Sequence, residues 1–436
     1  MVKNVVIIGA GPAGTLLAHY LLRRGDQYQI DIYERRSDPR IVSFSKSRTY
    51  PITLNERGTN ALSKIEGIAE AVKAMSVEII GTLSHQKNGK TRLTPRRKPF
   101  LALDRTNLAI ALLEKLSEKY DNNRLNIHFN YQCTQVDFEA KTLKIQKVTE
   151  AIPEGVPADL TIDYDLLIGA DGAHSVVREH FLSTELFECE QNYDRNDRKS
   201  IFFDGNEKSD IPLKTSNVHA WRLDDGTGLL MLYQPDGTMS GAIRFPHQQN
   251  QVVDLSTTQE VLEFFHKNFP TVGQMMSEKE AEAFLQRPLS RVLMIRCSRY
   301  HHNDSVLLIG DAAHSVSPSI GQACNAALED SVIFDRLLDE YSDNWAQAIE
   351  QFTVRRKPDA HALVELSNHV FPSSKKLLIE FIFRERLARI LHQRFPQRFS
   401  PSLSELLFES AVPYSEILKL YQGWISKVKA LHYLVC

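Results

Sequence analysis

Cysteine, long apolar runs and an excess of basic charge are all scarce in this 436-residue chain. The five cysteines form no CxxC pair, which argues against a zinc site or a disulfide framework and predicts a reducing, cytoplasmic environment. No apolar run reaches the roughly 18 residues that a membrane span needs, so no membrane anchor is expected. The formal net charge is −2, and without a basic surplus nucleic acid is not an expected partner.

The composition is that of a globular protein, with 42% hydrophobic and 24% charged residues. A chain of this length exceeds one ordinary core and predicts two or three packed units. The N-terminal stretch reads "MVKNVVIIGAGPAG" and runs into a glycine motif without a cleavage site for a signal peptidase. It therefore predicts a first strand rather than a secretion signal.

The order of predicted strands and helices divides the chain into three regions. Buried-strand patterns alternate with helices in the first region, which is interrupted and predicts a parallel sheet. Alternating strands separated by Asp-Gly turns predict an antiparallel sheet in the second region, and the third is almost entirely helical. The boundaries are 1–75 with 100–185 and 290–340 for the first, 76–99 with 186–289 for the second, and 341–436 for the third.

The first motif lies at the N-terminus, where Gly9-x-Gly11-x-x-Gly14 follows a predicted strand and opens a predicted helix. Glu34 ends the second strand, twenty residues after Gly14. This combination predicts a dinucleotide site, because the glycines let the backbone approach a pyrophosphate and the helix N-terminus stabilises its charge. The Glu34 carboxylate suits a ribose diol and favours FAD or NAD over NADP, and the adjacent Arg35 is a candidate to cover the adenine.

Two further motifs place an aspartate after a buried strand. The second reads "DYDLLIGADGAHSVVRE" and contains Asp171; the third reads "LLIGDAAHSVSPSIGQACNAALEDS" and contains Gly310 and Asp311. Either motif alone is also compatible with an ordinary helix N-cap. Together with the glycine motif they point to one cofactor.

As a set, these three motifs resemble the fingerprints of the flavoprotein aromatic hydroxylases, the family of para-hydroxybenzoate hydroxylase, over nearly the whole chain. The resemblance implies an α/β fold: a discontinuous, Rossmann-like FAD-binding domain of the glutathione-reductase type, an inserted antiparallel-sheet substrate domain and a C-terminal helical region. The residues that it implies around FAD are Gly9, Gly11, Pro12, Ala13, Gly14, Glu34, Arg35, Arg48, Arg105, Asp171, Gly310, Asp311, Gly321, Gln322, Ala323, Cys324 and Asn325.

Individual roles follow from the same resemblance. Asp311 would hold the ribityl and pyrophosphate part of FAD, and Arg105 in "LDRTNL" would contact its phosphates. The small residues after Asp311 would let the flavin ring lie against the backbone. The helix that starts near Gly321 would direct its N-terminal N–H groups at the pyrimidine edge, where negative charge gathers on reduction. His314 is expected to pack or hydrogen-bond rather than to act as a base.

The resemblance also implies the chemistry. NADH or NADPH would reduce FAD, and the reduced flavin would react with O2 to give a hydroperoxide that hydroxylates an aromatic ring. A second GxGxxG with its own βαβ unit is absent, so the nicotinamide co-substrate would bind transiently near the Asp171 motif. No catalytic side chain and no metal site are expected.

Several stretches, among them "KPDAHALVELS" and "VPYSEILKLYQGW", are similar to the kynurenine 3-monooxygenases, one branch of this family. In that branch Tyr414 would fall on a tyrosine that faces the substrate, and Pro318 would also line the pocket. The chain departs from the branch at other positions. It lacks one substrate-gripping arginine, has Arg96 where a tyrosine is expected and Val370 where an asparagine is expected, and reads Gly321-Gln322-Ala323 instead of Gly-Gln-Gly. These changes predict an altered aromatic substrate, with Arg96 or Arg97 as a replacement cation.

Other functions remain compatible with the same fold. A flavin halogenase or epoxidase is disfavoured, since halogenases usually carry a WxWxIP stretch and the three tryptophans here are far apart. A reductase without oxygen chemistry is a second alternative. A non-catalytic binding protein is a third, although Glu34, Arg105 and Asp311 are all retained.

Overall fold

The structure is a computed structural model, and it describes most of the chain. The described ranges are 2–42, 50–87, 89–148, 159–204, 213–247, 250–372 and 374–433.

Strands and helices are numbered here in chain order. The strands are β1 (Lys3–Ile8), β2 (Tyr28–Glu34), β3 (Pro51–Leu54), β4 (Val77–His85), β5 (Thr91–Asp104), β6 (Leu125–Phe129), β7 (Tyr131–Asp137), β8 (Thr142–Lys147), β9 (Asp159–Asp163), β10 (Leu166–Gly169), β11 (Cys189–Phe203), β12 (Asn217–Arg222), β13 (Gly228–Tyr233), β14 (Met239–Pro246), β15 (Ser290–Cys297), β16 (His301–His302) and β17 (Val306–Leu308). The helices are α1 (Pro12–Leu22), α2 (Glu56–Ser63), α3 (Ile68–Ala74), α4 (Arg105–Lys119), α5 (Val176–Phe181), α6 (Gln251–Asp254), α7 (Thr258–Asn268), α8 (Pro270–Gly273), α9 (Glu278–Gln286), α10 (Asp311–His314), α11 (Ala323–Glu340), α12 (Trp345–His369), α13 (Lys375–Arg394), α14 (Leu403–Glu409), α15 (Tyr414–Leu420) and α16 (Gln422–Tyr433).

A largely parallel sheet with the order β16-β17-β10-β1-β2-β6 contains the N-terminal strand near its middle. Strands β17, β10, β1, β2 and β6 pair in parallel, and β16 joins the edge in the antiparallel sense. Val5, Val6 and Ile7 are fully buried, as expected for a strand covered on both faces. The chain leaves β1 towards β2 on one side and returns as β10 on the other. This reversal creates a switch point at the carboxyl end of β1, where such sheets bind ligands.

A second, mainly antiparallel sheet has the order β15-β11-β14-β13-β12-β4-β5-β3. The β4 and β12 strands pair in parallel and join the early and late segments of the chain. Ile201, Ile243 and Phe245 project from one face of this sheet and form a core with Phe265 of α7 and Phe284 of α9. The opposite face carries Arg198 and Arg244 beside apolar residues such as Leu230.

The C-terminal helices pack around a separate apolar core that includes Leu363, Leu407 and Trp424. A third sheet is antiparallel and has the order β7-β8-β9. Parallel and antiparallel sheets followed by helices confirm the predicted α/β class, while the exact three-part division of the chain stays a prediction. Within the described ranges, no helix combines the length and the apolar character needed to cross a membrane.

Candidate functional site

The β1–α1 turn is shaped by its glycines. Gly9 has a φ of +106°, and a Cβ there would lie 2.4 Å from the carbonyl oxygen of Ala170. A Cβ on Gly14 would lie 2.3 Å from the carbonyl oxygen of Gly9, so α1 can approach β1 only without a side chain. At Gly11, by contrast, a Cβ would meet nothing within 4 Å. The turn is thus closed on its protein side and open outside Gly11.

Glu34 lies at the carboxyl end of β2, beside this turn. One carboxylate oxygen accepts a hydrogen bond from the amide of Ala10 at 3.0 Å, and the other accepts one from the amide of Arg36 at 2.9 Å. These two bonds fix the carboxylate at the sheet edge. Arg35 is exposed next to it.

The Asp171 motif follows β10, the neighbour of β1. Its Oδ2 atom accepts hydrogen bonds from the amides of Val176 and Val177 at 2.7 and 3.4 Å, whereas Oδ1 is buried without a partner in the described residues. Burial raises the pKa of Asp171, and the hydrogen bonds oppose this shift. Arg178 on α5 is buried and donates to the carbonyl oxygens of Ala173 and Ala312 at 2.7 and 3.0 Å. It therefore ties the second motif to the third.

The third motif leads from β17 through two short turns into α11. Asp311 begins α10, and a 3-10 turn spans Pro318–Ile320. Gly321 then adopts a φ of +63°, a left-handed conformation that glycine adopts readily. The long helix α11 begins at Ala323, two residues beyond the predicted start near Gly321.

Residues from several of these segments act electrostatically on Arg105. Tyr50 raises its pKa, burial opposes this effect, and Asp311, Cys324 and Glu34 add to the increase, so the guanidinium stays charged. Burial also raises the pKa of Cys324 to about 12, which keeps the thiol protonated. Residues separated by up to 290 positions in the chain, Glu34 and Cys324, thus both act electrostatically on Arg105.

FAD fits the residues present at this edge. The open space outside Gly11 suits a pyrophosphate, the fixed Glu34 carboxylate suits a ribose diol, and the charged Arg105 suits phosphate oxygens. The buried Oδ1 of Asp171 has no protein partner among the described residues, which is a further polar atom available to a ligand. Arg48, also predicted to contact FAD, lies outside the described residues.

Three other predicted residues form a buried hydrogen-bond network beside this edge. The amide oxygen of Gln322 accepts from Asn55 Nδ2 at 2.9 Å and from the Tyr414 hydroxyl at 3.0 Å. Asn325 accepts from the amide of Asn55 at 3.0 Å and donates to the carbonyl of Thr53 at 2.8 Å. Tyr414 is fully buried. Its hydroxyl is therefore engaged by the α11 N-terminus, and its contact with substrate stays a prediction.

The remaining predicted substrate residues come from different segments of the chain. Arg96 is half-buried, with its guanidinium 4.3 Å from the ring of Phe100 and 5.2 Å from that of Phe408. Burial lowers the pKa of Arg96, and Glu409 opposes this effect. Val370 is fully buried in the C-terminal core, while Pro318 opens the 3-10 turn next to Gly321. Arg96 thus lies in the antiparallel sheet, Pro318 in the third motif and Val370 in the helical region.

Sequence reasoning did not identify a buried charged cluster behind α11. Arg356 donates to Asp330, Glu329 and Asp359 at 2.7, 2.9 and 3.0 Å. His314 is buried and bonds Asp330 at 2.8 Å, in agreement with its expected hydrogen-bonding role. No motif in the sequence marks this cluster, because its acidic residues on α11 and its arginine on α12 meet only when the two helices pack.

A second missed feature lies where the antiparallel sheet meets the third motif. Asp194 on β11 accepts a hydrogen bond from the Ser317 hydroxyl at 2.7 Å and one from Arg198 at 3.0 Å. The positive charge of Arg198 also acts on the hydroxyl of Tyr50. The ring of Tyr50 lies 5.7 Å from the guanidinium of Arg105. No motif in the sequence marks this contact, because it depends on how distant strands pair.

Comparison with known families gives a match over most of the chain. Residues 3–367 match a family model described as "FAD binding domain". The predicted FAD-binding edge lies within that range.

Full-length relatives and solved structures agree with this match. The chain is 30% identical to kynurenine 3-monooxygenase of Sus scrofa over 431 residues, covering 98% of this chain and 88% of the relative. It is 30% identical to violacein synthase of Chromobacterium violaceum, covering 96% of each chain. Among solved structures, 2-methyl-3-hydroxypyridine-5-carboxylic acid oxygenase superposes with a TM-score of 0.68 at 18% identity, covering 84% of this chain and 90% of the other.

Proposed function

This chain belongs to the FAD-dependent aromatic hydroxylases and is an enzyme, and we propose that it uses NADH or NADPH and O2 to hydroxylate a small aromatic substrate. The observation that carries the proposal is the convergence of three distant motifs on one sheet edge. Glu34 bonds the amide of Ala10 next to Gly11, and the charges of Glu34 and Asp311 both act on Arg105.

Bound FAD would supply the electron transfer to oxygen that amino-acid side chains cannot provide. The chain's own residues bind, orient and enclose it. We propose that Arg105 and the β1–α1 turn hold its phosphates, and that Asp311 holds the ribityl chain. The N-terminal N–H groups of α11 would stabilise negative charge at the pyrimidine edge. Arg178, buried and bonded to Ala173 and Ala312, would keep the two supporting turns at a fixed separation.

The proposed substrate space adjoins the start of α11. Gln322 is held by Asn55 and Tyr414, so the start of α11 is rigid where the flavin ring would lie. We propose that Pro318, Tyr414 and Arg96 border the substrate space and that Val370 supports it from the core. The 30% identity to violacein synthase, alongside that to kynurenine 3-monooxygenase, supports an aromatic substrate that is not fixed to kynurenine.

The proposal is tested with purified, FAD-loaded protein. Consumption of NADH and of NADPH is measured with and without a panel of aromatic amines, amino acids and acids, in air and under nitrogen. We expect at least one compound to stimulate oxidation in air and to gain one oxygen atom by mass spectrometry. Colourless protein that does not bind added FAD would contradict the proposal. Oxidation that proceeds equally without oxygen would instead identify a reductase.

A further inference from the structure

Three arginines form one row across the face of the antiparallel sheet that lies opposite the α7 and α9 core. Arg198 on β11 lies directly opposite Arg244 on β14, Arg244 lies opposite Gly228 on β13, and Gly228 lies opposite Arg222 on β12. Directly opposed residues share a face of the sheet. Gly228 has no side chain to fill the row, and a Cβ there would lie 3.9 Å from the guanidinium of Arg244. The row therefore presents its guanidinium groups side by side.

This face is not the one covered by helices. The residues that alternate with the arginines, such as Ile201 and Ile243, point into the core beneath α7 and α9. On the arginine face, Leu230 is 55% exposed and lies opposite Ala242. A leucine exposed beside an alanine in the middle of a sheet leaves an uncovered apolar surface next to the cations.

One end of the row reaches the cofactor edge. Asp194 bonds Arg198 and also the Ser317 hydroxyl, which lies between Asp311 and Gly321 in the third motif. The charge of Arg198 also acts on Tyr50, which lies beside Arg105. The arginine face therefore opens towards the place where the flavin ring is proposed to lie.

Among the described residues, Asp194 is the carboxylate that pairs with Arg198 and acts on Arg244. Asp194 pairs with Arg198, but the same carboxylate also accepts from Ser317 and from Asn196. The Nη1 atom of Arg198 is buried without a partner in the part of the chain that the structure describes. Burial lowers the pKa of Arg244, and its neighbours Arg198 and Arg222 lower it further. Asp194 opposes this decrease, so among the described residues one carboxylate faces two half-buried arginines. Burying like charges with so little compensation is costly unless a ligand supplies further negative charge.

We propose that Arg198 and Arg244 bind the carboxylate of the aromatic substrate, and that the substrate is therefore an aromatic acid. Planar guanidinium groups recognise carboxylates with two parallel hydrogen bonds. The adjacent Leu230 and Ala242 would contact the apolar part of the same molecule, with its ring directed towards Gly321. This inference rests on the proposed function and assigns the acid-binding role to the sheet rather than to Arg96.

The test compares aromatic acids with their uncharged amides. Three pairs are used: benzoate and benzamide, 2-aminobenzoate and 2-aminobenzamide, and indole-3-acetate and indole-3-acetamide. Their dissociation constants are measured by calorimetry on oxidised, FAD-loaded protein without reductant. We expect at least one acid to bind about tenfold more tightly than its amide, equivalent to about 1.4 kcal/mol. Arg244→Leu and, independently, Arg198→Gln should abolish that preference and leave amide affinity unchanged.

Arg195→Leu is the matched control, because Arg195 is an exposed arginine on the same strand, β11. It should retain the full preference. The inference is overturned if no acid is preferred in any pair, or if both row variants keep the preference. It is also overturned if Arg244→Leu weakens only the binding of NADPH, measured by anaerobic flavin reduction, since the row would then bind the co-substrate. These titrations need neither reductant nor oxygen, so absent turnover would contradict the proposed function without deciding this one.

Discussion

Two groups of arginines in this protein differ in how their charge is balanced. Behind α11, Arg356 is fully buried and donates to three carboxylates and to the carbonyl oxygen of Ala326. On the sheet, Arg198 and Arg244 are half-buried and share Asp194 as the carboxylate that the described residues show near them. Carboxylates of the protein balance the charge of Arg356, whereas the described residues balance the charge of the sheet arginines only in part.

This difference separates a structural role from a binding role. The Arg356 cluster connects α11 with α12, and the Asp359 carboxylate also accepts from the amide of Ser415 at the start of α15. Arg57 on α2 joins through Glu329 at 2.8 Å. These bonds hold α2, α12 and α15 together with α11, so their loss should reduce stability. The sheet arginines have fewer partners, so their loss should reduce ligand binding instead.

The largest expected effect is on the balanced cluster. Arg356→Met leaves buried carboxylates without their counter-charge and should lower the free energy of unfolding by about 3–5 kcal/mol. The adjacent Arg355→Met is the matched control, because Arg355 pairs with Glu340 at the surface, with both side chains nearly half exposed. Its loss should cost less than about 1 kcal/mol. Urea unfolding of both variants measures the difference, and equal losses would contradict the assignment.

The two regions also differ in how well the sequence predicted them. The cofactor edge was predictable because each of its signals is local: a glycine turn after an apolar strand, or an aspartate before a helix. The position of Arg105 followed from resemblance, and the structure places it near Asp311 and Glu34. The arginine row was not predictable, because Arg198 and Arg244 are 46 positions apart and meet only through the register of β11 and β14. A shift of one residue would have placed them on opposite faces.

Two glycines of the β1–α1 turn also separate a structural role from a binding role, because the space around Gly14 is filled by protein atoms and the space around Gly11 is open. Gly14→Ala forces a methyl group against the carbonyl oxygen of Gly9 and should destabilise the fold by about 3 kcal/mol. Gly11→Ala adds its methyl group to open space and should leave the stability of the FAD-free protein unchanged. It should weaken FAD binding at least about tenfold, or about 1.4 kcal/mol. Urea unfolding and FAD titration of both variants test this contrast, and an equal loss of stability would refute it.

His19 tests burial without a carboxylate partner. Its side chain is buried on α1 and bonds the carbonyl oxygen of Leu112 at 2.9 Å. Burial lowers the pKa of His19 to about 4, so the unfolded chain takes up a proton first as the pH falls. Stability from this group is therefore lost from about pH 6.5 down to about pH 4, or about 2 kcal/mol between pH 7 and pH 5. Unfolding of His19→Gln at both values should show a pH dependence smaller by that amount, and an unchanged dependence would contradict it.

A small expected effect on stability at the sheet arginines completes the contrast with Arg356. Arg244→Leu removes a half-buried cation that has like-charged neighbours on both sides and no carboxylate at ion-pair distance among the described residues. Since the lost repulsion offsets the lost packing of the side chain, the free energy of unfolding should change by less than about 1 kcal/mol. An aromatic acid that binds in preference to its amide should raise the unfolding temperature of the native protein and not that of the variant, because ligands stabilise the state they bind. A loss as large as that of Arg356→Met would instead make the row a structural element, and the distinction between the two arginine groups would fail.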